Sequence, residues 1–435
     1  MRFQLTPTAF LVAALALPIF AQDEAKPAVP AKPQGPVLVI KTAEQDMAEG
    51  MASGMELEGE LPKLEKGAHY VLSVDAEGKL SAKTEQGKVG FLELSANPGA
   101  LMEVFAEKVE ETKGMVQGMA TMMLGQQGIK AKDAAAIMKA VFDFPKQIEN
   151  ITLRISSNPE KAKQDGLDID VGLTAVGGTW FGDLIAAMQP CAQGAPVLPD
   201  QAAAMQMQGS FDAAAIVKFA MPLLDIAARM VSKSPEEQKK YRAMLDQGMK
   251  IYDGGVAMTW AGPGGMKMLV GLSDPAAAQK LFGSEEYLAM MKAQSTANQM
   301  MDAEVTPKAF EHRGVQVTKT KAEMKEGAMM PPNPMMPNGV VETYIGIAGN
   351  YYIFTMFGSK EEDMKALIDA VADQKIQRAP LASGVLMQMN IDLVKFVGEM
   401  MAAMGGGAED EDMPEKMSMS LSRTEKTLSL KIHAK

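Results

Sequence analysis

Three segments of this chain share one pattern, in which a short strand-like stretch leads through a polar residue into an amphipathic helix. They begin at Phe91 (FLELSANPGALMEVFAEKV), Met205 (MQMQGSFDAAAIVKFAMPLL) and Val385 (VLMQMNIDLVKFVGEMM). The pattern constrains the fold because each strand has to pair with other strands, while each helix has to bury its apolar face against a sheet or another helix.

A short polar side chain marks the start of each of these helices. It is Asn97, followed by Pro98, in the first segment, Asp212 in the second, and Asn390 or Asp392 in the third. Such side chains accept hydrogen bonds from the free N–H groups of the first helical turn, and proline suits that turn. The sequence therefore predicts a helix from each of these positions.

A strand hairpin follows each segment. In the first two copies a further helical stretch precedes it, and the strand-like runs are IENITLRISS with GLDIDVGLTAV, and GGVAMTWAG with GMKMLVGLS; the third copy continues directly to MSMSLSR and TLSLKIHAK. We predict an α+β fold of antiparallel sheets with helices covering one face, built from repeated strand-helix-(helix)-hairpin-helix units. Chance similarity between alanine- and methionine-rich stretches is the alternative explanation of the repeat.

The same pattern divides the chain after its first 36 residues. We expect a first α+β half with an N-terminal hairpin in 37–200 and a second half in 201–300. Residues 301–435 are predicted to hold a hairpin region with a Pro/Met-rich loop (324–339) and the shorter third copy.

The N-terminus is typical of a secretory signal peptide, predicted over residues 1–21. Arg2 precedes an apolar run of 11 residues at 9–19, well short of the roughly 20 that cross a bilayer. Residues 22–36 alternate proline with alanine and lysine, which favours an extended spacer. We therefore expect an exported protein, periplasmic or extracellular, with no transmembrane segment after cleavage. Because the single cysteine is Cys191, no cysteine lies at the cleavage site to carry a lipid, so we expect that the protein is not a lipoprotein.

Composition argues against several functional classes. With 43 Lys plus Arg against 54 Asp plus Glu, the net charge of -11 argues against a nucleic-acid partner. One cysteine excludes an intramolecular disulfide framework or a thiolate zinc cluster, and three histidines leave little for histidine-based metal catalysis. We therefore predict a non-enzymatic protein. An enzyme whose catalytic groups come from distant loops stays open as an alternative.

The unusual feature of the composition is its 39 methionines. Eight of them form pairs at alternate strand positions, so each pair lies on one face of its strand, and we predict that they bind an apolar ligand. These residues are Met205, Met207, Met266, Met268, Met387, Met389, Met417 and Met419. A helical stripe is predicted at Met115, Met119, Met122 and Met123. Either the helical stripe packs on the strand face that carries the paired methionines and forms an ordinary core, or part of this methionine surface binds an apolar small molecule, a lipid or a segment of an envelope protein.

A second group of methionines lies in the Pro-rich loop MMPPNPMMPNG, at Met329, Met330, Met335 and Met336. Thioethers are soft ligands that select Cu(I), so a periplasmic Cu(I)-binding protein is one alternative function. An exposed insertion without a metal explains the loop equally well. A structural or interaction module of the cell envelope is the other alternative function.

Overall fold

The predicted signal peptide lies outside the residues that the structure describes, as does the predicted spacer up to residue 34. The computed structural model describes residues 35–126 (without 56, 58 and 59), 135–157 (without 136, 137, 140 and 141), 166–199, 203–217, 234–289 (without 263 and 264), 301–324, 339–403 and 414–435. Within them, helices combine with large antiparallel sheets, which confirms the predicted α+β class.

The strands and helices of the described residues are named here in chain order. The strands are β1 (Leu38–Thr42), β2 (Ala68–Val74), β3 (Leu80–Gln86), β4 (Leu92–Ala96), β5 (Ile148–Ile155), β6 (Leu167–Ala175), β7 (Ala195–Val197), β8 (Met205–Ser210), β9 (Tyr252–Trp260), β10 (Met266–Leu272), β11 (Met301–His312), β12 (Val315–Met324), β13 (Val340–Ala348), β14 (Tyr351–Met356), β15 (Gln377–Ala379), β16 (Val385–Asp392), β17 (Lys416–Arg423) and β18 (Thr427–Ala434). The helices are α1 (Gln45–Gly54), α2 (Pro98–Val104), α3 (Ala106–Gln126), α4 (Trp180–Ala187), α5 (Pro235–Lys250), α6 (Pro275–Phe282), α7 (Glu361–Ala372) and α8 (Leu393–Ala403), and a 3-10 turn covers Phe144–Gln147.

The chain forms two compact units. The N-terminal unit contains the described residues up to Ala186 together with Met417–Lys435, and the central unit contains Ala187–Lys416. The last hairpin therefore belongs to the same unit as the first strands. The domain boundaries expected from the sequence stay a prediction.

Antiparallel strands in the order β17-β18-β6-β5-β4-β1-β2-β3 form the sheet of the N-terminal unit. Helix α1 packs on it by way of Ala52, which shares a buried cluster with Ile40, Leu72 and Leu92. This cluster anchors the first strands because its members come from β1, β2 and β4 as well as from the helix.

The sheet of the central unit has the order β16-β8-β9-β10-β14-β13-β12-β11, again antiparallel. Strands β7 and β15 form a separate pair. Every residue of β14 is buried, so this strand is enclosed on both faces. Its near-continuous apolar sequence is the usual signature of such burial.

Helices lie on both faces of the central sheet, so the prediction that they cover one face is wrong for this unit. On one face, Leu269 and Ile353 pack with Met364 and Leu367 of α7. Met268, which neighbours Leu269 and lies on the other face, shares a cluster with side chains of α5, α6 and α8. The reason is that β10 and β14 carry apolar residues at successive positions, and both faces therefore require a cover.

The predicted helix starts at Asn97, Asp212 and Asp392 are confirmed. In each case the side-chain oxygen accepts a hydrogen bond from the backbone N–H three residues later, at 2.9 Å for Asn97, 3.0 Å for Asp212 and 3.0 Å for Asp392. Of the two candidates in the third segment, Asp392 is the cap, because Asn390 pairs with Gln206 of β8 whereas Asp392 is the last residue of β16.

Candidate functional site

Four methionines lie side by side across the central sheet. Met389 is opposite Met207, Met207 opposite Met258, and Met258 opposite Met268, in the adjacent strands β16, β8, β9 and β10. Directly opposite residues of neighbouring strands point to the same face, so we call these four residues the methionine row. Met207, Met258 and Met268 are 8%, 7% and 2% exposed. Most of the row is therefore core.

A second line of residues runs beside the methionine row. Trp260 of β9 lies between Met205 of β8 and Met266 of β10, and Met266 is opposite Met356 of β14. Six of the eight strand methionines predicted to bind a ligand, the partly buried Met387 among them, thus belong to one hydrophobic cluster. The other two, Met417 and Met419, lie on β17 in the N-terminal unit and are half-buried. Their predicted role in ligand binding stays a prediction.

The helical methionines are in a different environment. On α3, Met115, Met119 and Met122 are 68%, 52% and 61% exposed, and we call these three residues the α3 stripe. The interpretation that the stripe packs on the strand methionines as core is therefore wrong. Val109 and Val116, on a neighbouring face of α3, are partly buried. The side chain of Met123, the fourth predicted member, lies outside the described residues.

At one end of the methionine-covered face, two buried polar atoms have no hydrogen-bond partner among the residues that the structure describes. They are the indole nitrogen Nε1 of Trp260 and the carboxylate oxygen Oε2 of Glu399. The Trp260 ring packs edge-on against Phe396 of α8, with 4.7 Å between ring centroids. Glu399 lies one turn further along the same helix. Neither residue was predicted from the sequence, although tryptophan occurs only twice in it, which is a usable signal.

An aromatic cluster belongs to the same hydrophobic region. Phe282 packs against Tyr287 and Tyr352 with centroid distances of 4.9 and 5.1 Å, and Tyr252 packs against Tyr352. Burial raises the pKa of Tyr287 to about 12. It also raises the pKa of Tyr252 and Tyr352 well above that of a free phenol, because a buried phenolate loses its hydration. These phenols are neutral structural groups at physiological pH.

The single cysteine lies beside a buried ion pair. Arg378 of β15 binds both carboxylate oxygens of Asp253 on β9, at 2.5 and 3.0 Å, and also donates to the backbone oxygen of Gly194 at 2.8 Å. Its Nη2 lies 3.9 Å from the sulfur of Cys191, which also accepts a hydrogen bond from Ser210 at 3.3 Å. Burial alone lowers the pKa of Arg378, but the hydrogen bonds and charge of Asp253 outweigh this effect and raise it.

Two glycines make room for this ion pair. A Cβ atom on Gly255 would collide with Arg378, and one on Gly271 would collide with Asp253. The Asp253 carboxylate also accepts a hydrogen bond from the backbone N–H of Gly255 at 2.7 Å. The pair therefore ties β9 and β15 to the 191–194 turn, and we interpret it as a structural element.

Metal ligation was predicted for Met329, Met330, Met335 and Met336, which lie outside the described residues. In the part of the chain that is described, no group of three or more His, Cys, Asp or Glu side chains is placed to hold a metal ion. Copper binding by the loop stays a prediction.

Comparison of the chain with family models, curated proteins and solved structures finds no match. Among the described residues, no helix is both long enough and apolar enough to cross a bilayer.

Proposed function

We propose that this chain is an exported, non-enzymatic protein that binds an amphipathic helical segment of another protein through the α3 stripe. The observation that carries the proposal is the contrast in exposure between the two sets of methionines. The strand residues Met207 and Met268 are 8% and 2% exposed, whereas Met115 of the stripe is 68% exposed. Flexible thioethers adapt to varied apolar partners, and only those at the surface meet one without opening the core.

The spacing of the α3 stripe favours a helix as its partner. Met115, Met119 and Met122 follow one another at intervals of four and three residues, the spacing of a seam between two packed helices. Three positions make a narrow seam over two turns. A sheet or a lipid surface would contact a broader apolar area than this one.

The surroundings of the stripe also suit a helix. Gly114 and Gly118 lie beside it, and a Cβ atom on either would meet nothing within 4 Å. A partner helix is therefore free to approach closely there. Glu107 and Glu111 are exposed along one flank of the stripe. Basic residues flanking the apolar seam of the partner would complement them.

The size of the effect follows from the exposed fractions. Burying a whole methionine side chain stabilises by about 1.5–3 kcal/mol, and roughly 60% of each stripe side chain is still available for burial. Three residues together then contribute about 3 kcal/mol at the low end, which is about a hundredfold in Kd. Replacing all three by glutamine removes most of this contribution and keeps a good helix-forming residue at each position.

The test uses residues 22–435 and a fluorescently labelled synthetic helix with leucines at four-three spacing flanked by lysines. We expect saturable binding by fluorescence anisotropy, weakened at least tenfold in M115Q/M119Q/M122Q. V394Q is the control, because Val394 is an exposed apolar residue of a different helix, at 55% exposure; it should bind like the unchanged chain. Circular dichroism checks that both variants fold.

Three results would contradict this proposal. The first is equal binding of a scrambled peptide with the same composition. The second is unchanged binding by the triple variant. The third is evidence that the stripe binds a different partner. Sedimentation would show this as a self-association that the triple variant abolishes, and flotation would show it as binding to phosphatidylcholine vesicles.

We also propose that the repeat seen in the sequence is a structural repeat of the chain. Its support is the order of elements. Strand β4 is followed by α2, α3, the β5–β6 hairpin and α4, and β8 is followed by a helical start at 213–217, α5, the β9–β10 hairpin and α6. Strand β16 leads through α8 to the β17–β18 hairpin. Each copy has the same cap at its first helix, as shown above. Superposition of the three copies in an experimental structure tests this proposal.

A further inference from the structure

Two buried polar atoms near the methionine row have no hydrogen-bond partner among the described residues. Trp260 is 4% exposed, and within the described part of the chain its indole N–H has no acceptor. Oε2 of Glu399 is buried, and no described residue donates a hydrogen bond to it. Buried polar groups in folded proteins are nearly always paired, so each of these atoms calls for a partner other than the described residues.

Both atoms are held at the same corner of the central unit. Trp260 ends β9, and Gly262 follows it in the turn toward β10. The Glu399 carboxylate lies against Gly262, where a Cβ atom would collide with it. Helix α8 brings Phe396 against the Trp260 ring. Glycine at this turn is therefore required for the carboxylate to reach the end of β9.

The walls of this corner are apolar. Met205 and Met266 flank Trp260 on the neighbouring strands, and all three belong to one hydrophobic cluster with Phe396. A molecule here would contact thioethers and aromatic rings along most of its surface. It would meet polar groups at two points.

The chemistry of the two groups defines what satisfies them. An indole N–H only donates a hydrogen bond, and an ionised carboxylate only accepts. An anion would be repelled by Glu399, and an ammonium group would leave the indole unpaired. A hydroxyl group both accepts and donates, and so satisfies both. We propose that this corner binds an aliphatic alcohol, with its hydroxyl between Trp260 and Glu399 and its chain along Met205 and Met266. The prediction that Met205 and Met266 bind an apolar ligand is part of this proposal.

The experiment uses n-octanol as the probe and n-octane and heptyl methyl ether as controls. In a W180F background Trp260 is the single tryptophan, so its fluorescence reports on this corner alone. We expect a saturable change with n-octanol. We expect binding of the ether, which accepts but does not donate, to be at least tenfold weaker, because it leaves Glu399 unpaired. The alkane should give no saturable change.

Variants separate the hydroxyl site from general apolar uptake. E399L should weaken n-octanol binding at least tenfold, and E399Q, which keeps an acceptor oxygen, should weaken it less. V394Q, on the exposed side of the same helix, should leave it unchanged. Equal responses to n-octanol and n-octane would overturn the proposal even if neither Glu399 variant folds, since that comparison needs only the W180F chain. A crystal structure grown with n-octanol that shows only water at both atoms would overturn it as well. Neither result bears on the α3 stripe, which belongs to the other unit.

Discussion

The substitution Arg378→Met tests whether the ion pair with Asp253 holds the central unit together. The two side chains are 15% and 7% exposed, so solvent screens the pair little. Methionine removes both hydrogen bonds to the carboxylate and the donors to Gly194, while Asp253 keeps the backbone N–H of Gly255. Removing one member of a buried ion pair leaves the other charge buried and unpaired, which lowers the free energy of unfolding by about 3–5 kcal/mol. We expect about 3 kcal/mol here, since one donor remains.

The measurement is urea unfolding followed by Trp260 fluorescence in the W180F background, which reports on the central unit. With a denaturant slope of about 1–3 kcal/mol per molar urea, a 3 kcal/mol loss moves the midpoint down by about 1–3 M. The double variant D253L/R378M should be more stable than R378M alone, because no charge is left unpaired. A loss below about 1 kcal/mol for R378M, or a double variant as unstable as the sum of the single changes, would refute the reasoning.

Two further predictions concern burial. Met268→Ala, at a core position, should cost about 2–5 kcal/mol in urea unfolding, whereas Met115→Ala should stay within about 0.5 kcal/mol; similar costs would show that the contrast in exposure is wrong. Because burial raises the pKa of Tyr287 from 10.0 to about 12, its neutral phenol contributes stability that is complete below pH 10.0 and is lost as pH rises to about 12. Urea midpoints across this range should fall less steeply for Tyr287→Phe, and an unchanged slope would contradict the cause assigned to the shift.

The sequence predicted features that depend on neighbouring residues. Asn97, Asp212 and Asp392 cap their helices because a side-chain oxygen reaches an N–H group only three residues away. Alternation placed Met205 with Met207, and Met266 with Met268, in one cluster, because successive strand residues point to opposite faces.

Tertiary structure decided which of these methionines are buried. Met115 and Met268 both belong to regular apolar patterns, yet one is exposed and the other is core. Periodicity defines a face but does not specify what covers it. The cover depends on contacts between distant segments, as in the pairing of Gln388 with Gln208, which are 180 residues apart. The corner formed by Trp260 and Glu399 arises in the same way, since α8 reaches the end of β9 only once the chain is folded.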